Sequence, residues 1–159
     1  MKRGFYRFLA QVAACFAAPW AAWHQRRIHR NGRQLNHLEL ELAERLGLGN
    51  PDMIRIQTVI RVPNPLYPLL WLVKKCGGSC ITTAAGITLG RGIYVCKDYA
   101  HSTELIAHEL VHVAQYQRAG SIRAFMVEYI HQCLLVGYHD AEWEKEARAK
   151  SGRVISNNM

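Results

Sequence analysis

The spacing of hydrophobic side chains changes from a strand pattern in the middle of the chain to a helix pattern near its end. Leucines at helical spacing predict a helix over residues 34–47, which Gly47 ends. Apolar and polar residues alternate from Met53 to Val62, as on a strand with one buried face. From Ser102 onward, apolar residues again recur every three or four positions. This order predicts one α+β domain in which a small sheet precedes the C-terminal helices.

Two further strands are predicted before those helices. They cover residues 79–83 and 87–95, join around Gly86, and bend at Gly90 and Gly92. Glycines at such points allow a bulge, a hairpin corner or a close backbone approach. The sequence therefore predicts a sheet over about residues 53–96.

Three helices are predicted after the sheet, at 103–119, at about 122–135 and at about 140–150. Ser102 or Thr103 can cap the first of them, and Gly120 ends it. We expect the domain to occupy residues 34–150 and residues 151–159 to form a loose tail.

The N-terminal arm, residues 1–33, carries most of the formal net charge of +8. A basic segment of this kind is typical of contact with a membrane surface or with nucleic acid. We expect a membrane-surface contact through this arm and no nucleic-acid partner. Its basic residues, all of which precede the first acidic residue, Glu39, are Lys2, Arg3, Arg7, Arg26, Arg27, Arg30 and Arg33.

The apolar run from Phe8 to Trp23 is shorter than the roughly 20 apolar residues of a membrane-spanning helix, and Gln11 and Pro19 interrupt it. The basic start resembles a secretory signal, and residues 12–15 resemble a lipoprotein cleavage box ending at Cys15. The short run instead favours a helix that packs on the core or lies on a membrane. A cytoplasmic or membrane-associated protein is expected, with a lipoprotein-like signal as the alternative.

The candidate chemistry lies at residues 108–112, which read HELVH within the predicted helix 103–119. Residues four apart on a helix share one face, so His108 and His112 can reach the same ion. Glu109 is placed to accept a proton from a water that the ion activates. The pattern predicts a Zn²⁺ site, although other divalent ions also accept imidazole and carboxylate ligands.

A catalytic zinc site needs a third protein ligand. A metzincin places a His six residues beyond the second ligand, but Arg118 occupies that position, so this subclass is excluded. A carboxylate from a later helix is the gluzincin alternative. The acidic helix near the C-terminus offers Glu142, Glu144 and Glu146. Tyr116 and Tyr138 are further candidates, as donors to a developing oxyanion.

Residues 105–116 (LIAHELVHVAQY), followed by residues 144–147 (EKEA), resemble the bacterial zincin-like metallopeptidase domain family DUF4157. The resemblance extends over about residues 53–149 and implies a zincin-like fold. It also implies a gluzincin-type site in which Glu144 is the third ligand, with Glu146 and Glu142 as alternates. Arg148 stands where such sites commonly carry an acid or Asn that orients a ligating His.

The resemblance implies a zinc-dependent peptidase that hydrolyses a peptide or protein substrate, with Glu109 as general base. The alternative is a catalytically weak or inactive binding or structural protein that keeps the zincin fold. In such folds the last strand before the active-site helix, here residues 92–95, is an edge to which an extended peptide can add.

Overall fold

The computed structural model describes residues 2–63 and 84–156, so the predicted strand over 79–83 lies outside the described residues. Those residues form five α-helices and one four-stranded mixed sheet, which confirms the α+β class. The helices are α1 (Lys2–Asn31), α2 (His37–Arg45), α3 (Thr103–Ala119), α4 (Ile122–Val136) and α5 (Glu142–Ser156). The strands are β1 (Arg33–Gln34), β2 (Arg55–Val59), β3 (Gly86–Leu89) and β4 (Gly92–Cys96).

The strands are ordered β1-β2-β4-β3 across the sheet. Strands β2 and β4 are parallel, with Arg55 opposite Gly92, while β1 and β3 pair antiparallel with their neighbours. The single bent strand predicted over 87–95 is therefore wrong. Gly90 has a φ of +68°, which reverses the chain and produces the β3–β4 hairpin. The predicted edge at residues 92–95 is also wrong, because β4 is hydrogen-bonded on both sides.

The sheet lies between two helical layers. Because side chains alternate along a strand, Ile93 and Val95 of β4 join a core with Leu110 of α3 and with residues of α2. Tyr94 points to the opposite face, where its hydroxyl lies 3.1 Å from Nδ1 of His24 in α1. Helix α3, which carries His108 and His112, is thus supported from behind by the sheet.

Two helix boundaries differ from the prediction by three residues or more. Helix α2 begins at His37 rather than at residue 34, because Asn36 and Glu39 form a reciprocal capping box. Helix α5 continues to Ser156, and its Ser151 is buried, so residues 151–156 are helical rather than a loose tail.

The residues predicted to form an N-terminal arm are largely the helix α1, and one face of this helix is part of the hydrophobic core. It packs along α4 and reaches the sheet, where Ile28 is fully buried. Gly92 of β4 permits this approach, since a Cβ there would lie 2.9 Å from Cδ1 and 3.0 Å from Cβ of Ile28. Within the described residues, no helix combines the length and the apolar character needed to cross a membrane.

Replacing Gly92 with Ala should lower the free energy of unfolding by about 1–3 kcal/mol, the usual cost of overpacking a close contact. Gly152→Ala is the matched control, because nothing lies within 4 Å of the added methyl group in helix α5. The control should be neutral or stabilising. Chemical denaturation of both variants measures the difference, and equal stabilities would contradict the proposed role of this contact.

Candidate metal centre

Helix α3 presents its two histidines on the side away from the sheet. Its buried residues Ile106, Leu110 and Val113 pack toward β2 and β4. At 100° per residue, His108 and His112 lie on the opposite side of the same helix, which faces α5. Ser102 caps the helix by accepting a hydrogen bond from the backbone N–H of Leu105 at 3.2 Å, which fixes where the helix begins.

Glu144 of α5 completes a group of three ligand side chains. Its Oε1 lies 3.3 Å from Nε2 of His112, and its Oε2 lies 3.4 Å from Nε2 of His108. The two Nε2 atoms are 3.1 Å apart. Ligand atoms about 2.0–2.1 Å from a tetrahedral zinc ion are separated by about 3.3 Å, so the spacing suits zinc. In the described part of the chain, this is the group of His, Cys, Asp and Glu residues able to hold a metal ion.

The Glu144 carboxylate supplies an independent sign that a cation belongs here. The side chain is 1% exposed, and its Oε2 atom accepts no hydrogen bond. A buried carboxylate oxygen without a partner is costly, and a bound cation removes that cost. The residues present therefore fit a divalent metal ion, and their two imidazoles and one carboxylate are a donor set that zinc accepts.

The other carboxylate oxygen is held by Tyr129 of α4, whose hydroxyl donates a 2.7 Å hydrogen bond to Glu144 Oε1. Burial raises the pKa of Glu144, but the close approach of the His108 and His112 side chains outweighs burial and brings this pKa below its ordinary value. Burial, and then the charge of Glu144, raise the pKa of Tyr129 well above normal. Glu144 is thus an anion, and Tyr129 a neutral donor, near neutral pH.

The two alternate carboxylates point elsewhere. Residues two apart on a helix lie about 200° apart, so Glu142 and Glu146 cannot share the face of Glu144. Glu146 instead accepts two hydrogen bonds from Arg118, at 2.9 and 2.6 Å, and pairs with Lys150 at 2.7 Å. Glu142 is exposed. The structure therefore brings Glu144, and neither alternate, to the two histidines.

Gln115 is the residue that orders this site, and the sequence reasoning missed its role. Its fully buried amide oxygen lies 2.8 Å from Nδ1 of His112, so that nitrogen donates the hydrogen bond and Nε2 keeps its lone pair for the ion. The amide nitrogen donates to the Trp143 carbonyl at 2.9 Å and to Glu146 Oε2 at 3.0 Å. The backbone N–H of Trp143 in turn donates to the side-chain oxygen of Gln132 at 3.1 Å. The backbone just before Glu144 is thereby held from both α3 and α4.

Arg148, the departure noted in the sequence, lies beside the same carboxylate. Its Nη1 atom is 3.8 Å from Glu144 Oε2, and its Nη2 atom donates to the backbone carbonyl of His139. The position that would hold an acid thus carries a cation, and within the described residues Arg148 forms no hydrogen bond with a histidine ring. Gln115, on the helix of His112 itself, orients that ring instead.

Glu109 is buried beside the two histidines and Glu144, and strand β3 fixes its side chain. The Thr88 hydroxyl donates to Glu109 Oε2 at 2.6 Å and also lies 2.9 Å from the Glu109 backbone oxygen. Gly86 makes room for the carboxylate, since a Cβ there would lie 2.7 Å from Oε1. Burial raises the pKa of Glu109, and the charge of Glu144 adds to this shift.

Of the two tyrosines expected as oxyanion donors, Tyr116 lies in the core. Its ring stacks on Phe125 with centroids 3.6 Å apart, and its hydroxyl contacts the Met126 sulfur at 4.0 Å. Burial, and then the charge of Glu144, raise the pKa of Tyr138. Tyr129, which the sequence reasoning did not select, contacts the group directly. The Phe125–Tyr129–Gln132 spacing on α4 was the available signal.

The fold and the site thus define an α+β protein with a His108, His112 and Glu144 group that can bind a metal ion. A family model described as eCIS core domain, which corresponds to the DUF4157 family, matches residues 79–120. This stretch includes β3, β4 and all of α3, and it stops before Glu144. No curated protein and no solved structure gives a significant match to the chain.

Substitution of two acidic residues of α5, Glu144 and Glu142, tests the third ligand. Glu144→Gln should weaken zinc binding by more than the roughly 10–100-fold cost of losing an outer partner, because it removes a direct ligand. Glu142→Gln, an exposed change on the same helix, should leave affinity unchanged. Competition with a chelator measures both values. Equal affinities in the two variants would show that Glu144 does not bind the ion.

Gln115→Leu should raise the zinc dissociation constant about 10–100-fold, because it removes the hydrogen bond that orients His112. Gln117→Leu is the matched control. Gln117 is on the same helix, but its amide bonds to the backbone of Gly49. Zinc titration of variants whose circular dichroism matches the wild type separates the two. A similar loss in both variants would attribute the effect to helix stability alone.

Proposed function

We propose that this protein is a zinc-dependent peptidase, with His108, His112 and Glu144 as ligands and Glu109 as general base. The observation that carries the proposal is the pairing of a ligand group with a buried, oriented glutamate one residue from the first ligand. A metal site with only a structural role needs no such base, and structural zinc sites are usually closed by a fourth protein ligand.

Zinc bound at these ligands would polarise a substrate carbonyl and lower the pKa of a coordinated water. The remaining chemistry belongs to Glu109. Thr88 occupies its Oε2 atom, which leaves Oε1 to accept the proton of the attacking water and later to deliver it to the leaving amine. The raised pKa of Glu109 suits this work, because a base that holds a proton between two steps needs a pKa nearer to neutrality.

Substrate approach is proposed from the His108 side of the group. The His108 side chain is 18% exposed, whereas those of His112 and Glu144 are 9% and 1% exposed. Strand β3 is the outermost described strand on this side of the sheet, and Thr88 and Gly86 bring it against Glu109. We therefore propose that an extended peptide adds to β3, in place of the β4 edge expected from the sequence.

Glu109→Gln should keep zinc affinity within a few fold while lowering peptide hydrolysis about 10²–10⁴-fold, the usual contribution of a general base. Glu104→Gln, an exposed change in the first turn of the same helix, is the control and should retain full activity. Zinc titration and hydrolysis of a broad peptide library give the two readouts.

If zinc-loaded wild-type protein hydrolyses no peptide in that library, the peptidase proposal fails. The alternative, a zincin-fold binding or structural protein with a metal site, would then hold. Arg148 is the feature that favours this alternative, because a cation 3.8 Å from the Glu144 carboxylate weakens the attraction of that carboxylate for the ion.

A further inference from the structure

Helix α1 packs on the protein through small side chains. The alanines at 10, 14, 17 and 21 are at most 6% exposed and are spaced by four, three and four residues, which places them on one face. His24 and Ile28 continue this face to the sheet. The helix is therefore attached to its neighbours along nearly its whole length through one narrow stripe.

The large apolar side chains of α1 point away from the protein. At 100° per residue, positions 5, 8, 9, 12, 16 and 23 fall within an arc of about 100°, opposite the alanine stripe. A surface helix normally buries such side chains and exposes small or polar ones, so this arrangement is reversed. The exposed residues are Phe5, Phe8, Leu9, Val12, Phe16 and Trp23, with exposed fractions between 36% and 77%.

Helix α4 adds to the apolar character at the same end of the molecule. Arg7 pairs with Glu128 at 3.5 Å, and Arg123 contacts the Cys15 sulfur, so α1 and α4 run antiparallel. The C-terminal end of α4, where Leu134 and Val136 are exposed, thus lies near the N-terminal end of α1. Several large apolar side chains exposed along one face, as on α1, are a mark of an interaction site, unlike single exposed side chains.

Arginines extend the apolar face toward the C-terminal end of α1. Arg26, Arg27 and Arg30 fall on the same arc as the aromatic residues, and with Trp23 and Asn31 they line a shallow cavity of about 320 Å³. The Arg27 guanidinium lies 5.7 Å from the centre of the Trp23 ring. Within the described residues, none of the three arginines forms a salt bridge. Their charges therefore remain available to an anionic partner.

We propose that this face of α1 docks on an anionic membrane surface. The aromatic and aliphatic side chains enter the interface, and the three arginines bind lipid phosphates. Charge complementarity identifies the partner, because the first 38 residues contain seven basic side chains and no acidic one. From Phe5 to Arg30 the face is about 37 Å long, enough to contact a row of lipid headgroups. Because the opposite face is packed on the protein, α1 meets the lipid lengthwise and on one side.

Cosedimentation of the full chain with vesicles tests this proposal. Wild-type protein should bind vesicles of phosphatidylcholine and phosphatidylglycerol more tightly than vesicles of phosphatidylcholine alone, and salt should reduce the difference. Neutralising Arg26, Arg27 and Arg30 with Gln should weaken binding to the anionic vesicles on the order of a hundredfold. The double variant Phe8→Ser and Phe16→Ser should weaken binding to both kinds of vesicle at least about tenfold.

Matched control variants distinguish an effect of this face from a general effect of losing positive charge or apolar surface. Leu38→Ser with Met53→Ser changes two apolar side chains that are 62% and 50% exposed elsewhere. Gln at Arg45, Lys97 and Arg153 removes three positive charges elsewhere. Both controls should bind vesicles like the wild type. Circular dichroism and thermal unfolding verify each fold, which these exposed changes should leave intact.

Three results would overturn the proposal. The first is that the wild-type protein does not bind anionic vesicles at low salt. The second is a control set that loses as much binding as the α1 variants. The third is self-association, measured by light scattering without lipid, that the Phe8→Ser and Phe16→Ser variant abolishes, because this face would then be an interface between two copies of the chain.

Discussion

The position of the Glu144 carboxylate is the constraint on which the candidate site depends. A carboxylate that is almost fully buried is stable only with hydrogen bonds or a cation, and Tyr129 satisfies one of its two oxygens. The second oxygen faces His108 and accepts no hydrogen bond. A metal ion bound at that oxygen would lower the cost of burying the carboxylate, which links ion binding to the packing of α5 on α3.

Gln115 fixes the geometry that connects His112 on α3 with Glu144 on α5. One amide group orients the His112 ring through its oxygen and holds the Trp143 carbonyl through its nitrogen. The ring and the backbone next to Glu144 are thus positioned by the same side chain. An acid after Ala147 would orient a histidine of α3 from helix α5, but Arg148 occupies that position. The neutral amide of Gln115, which is on α3 itself, orients His112 instead. Because Gln115 is neutral, it adds no charge that would compete with Glu144 for the ion.

Local rules predicted the part of the site that one helix contains. The spacing of His108 and His112 on a capped helix follows from periodicity, and both lie as expected. The choice of Glu144 over Glu146 depends on Arg118, which captures Glu146 from 28 residues away, and no local pattern reveals that pairing. The sheet shows the same limit. A positive φ at Gly90 turns a predicted single strand into a hairpin, and the parallel pairing of β2 with β4 buries the strand expected at the edge.

The candidate metal site and the proposed membrane-docking face differ in their relation to folding. Glu144 is a core residue, so a change there would alter both the candidate ion site and the contact between helices. Helix α1 separates the two roles, because its alanine stripe provides the packing while Phe8, Phe16 and the arginines contribute little to the core. Close approach of α1 to the sheet at Gly92 stabilises the fold without the large side chains. The large exposed side chains of α1 can therefore change without loss of the packing that holds the helix, so a reversed helix is compatible with a stable protein.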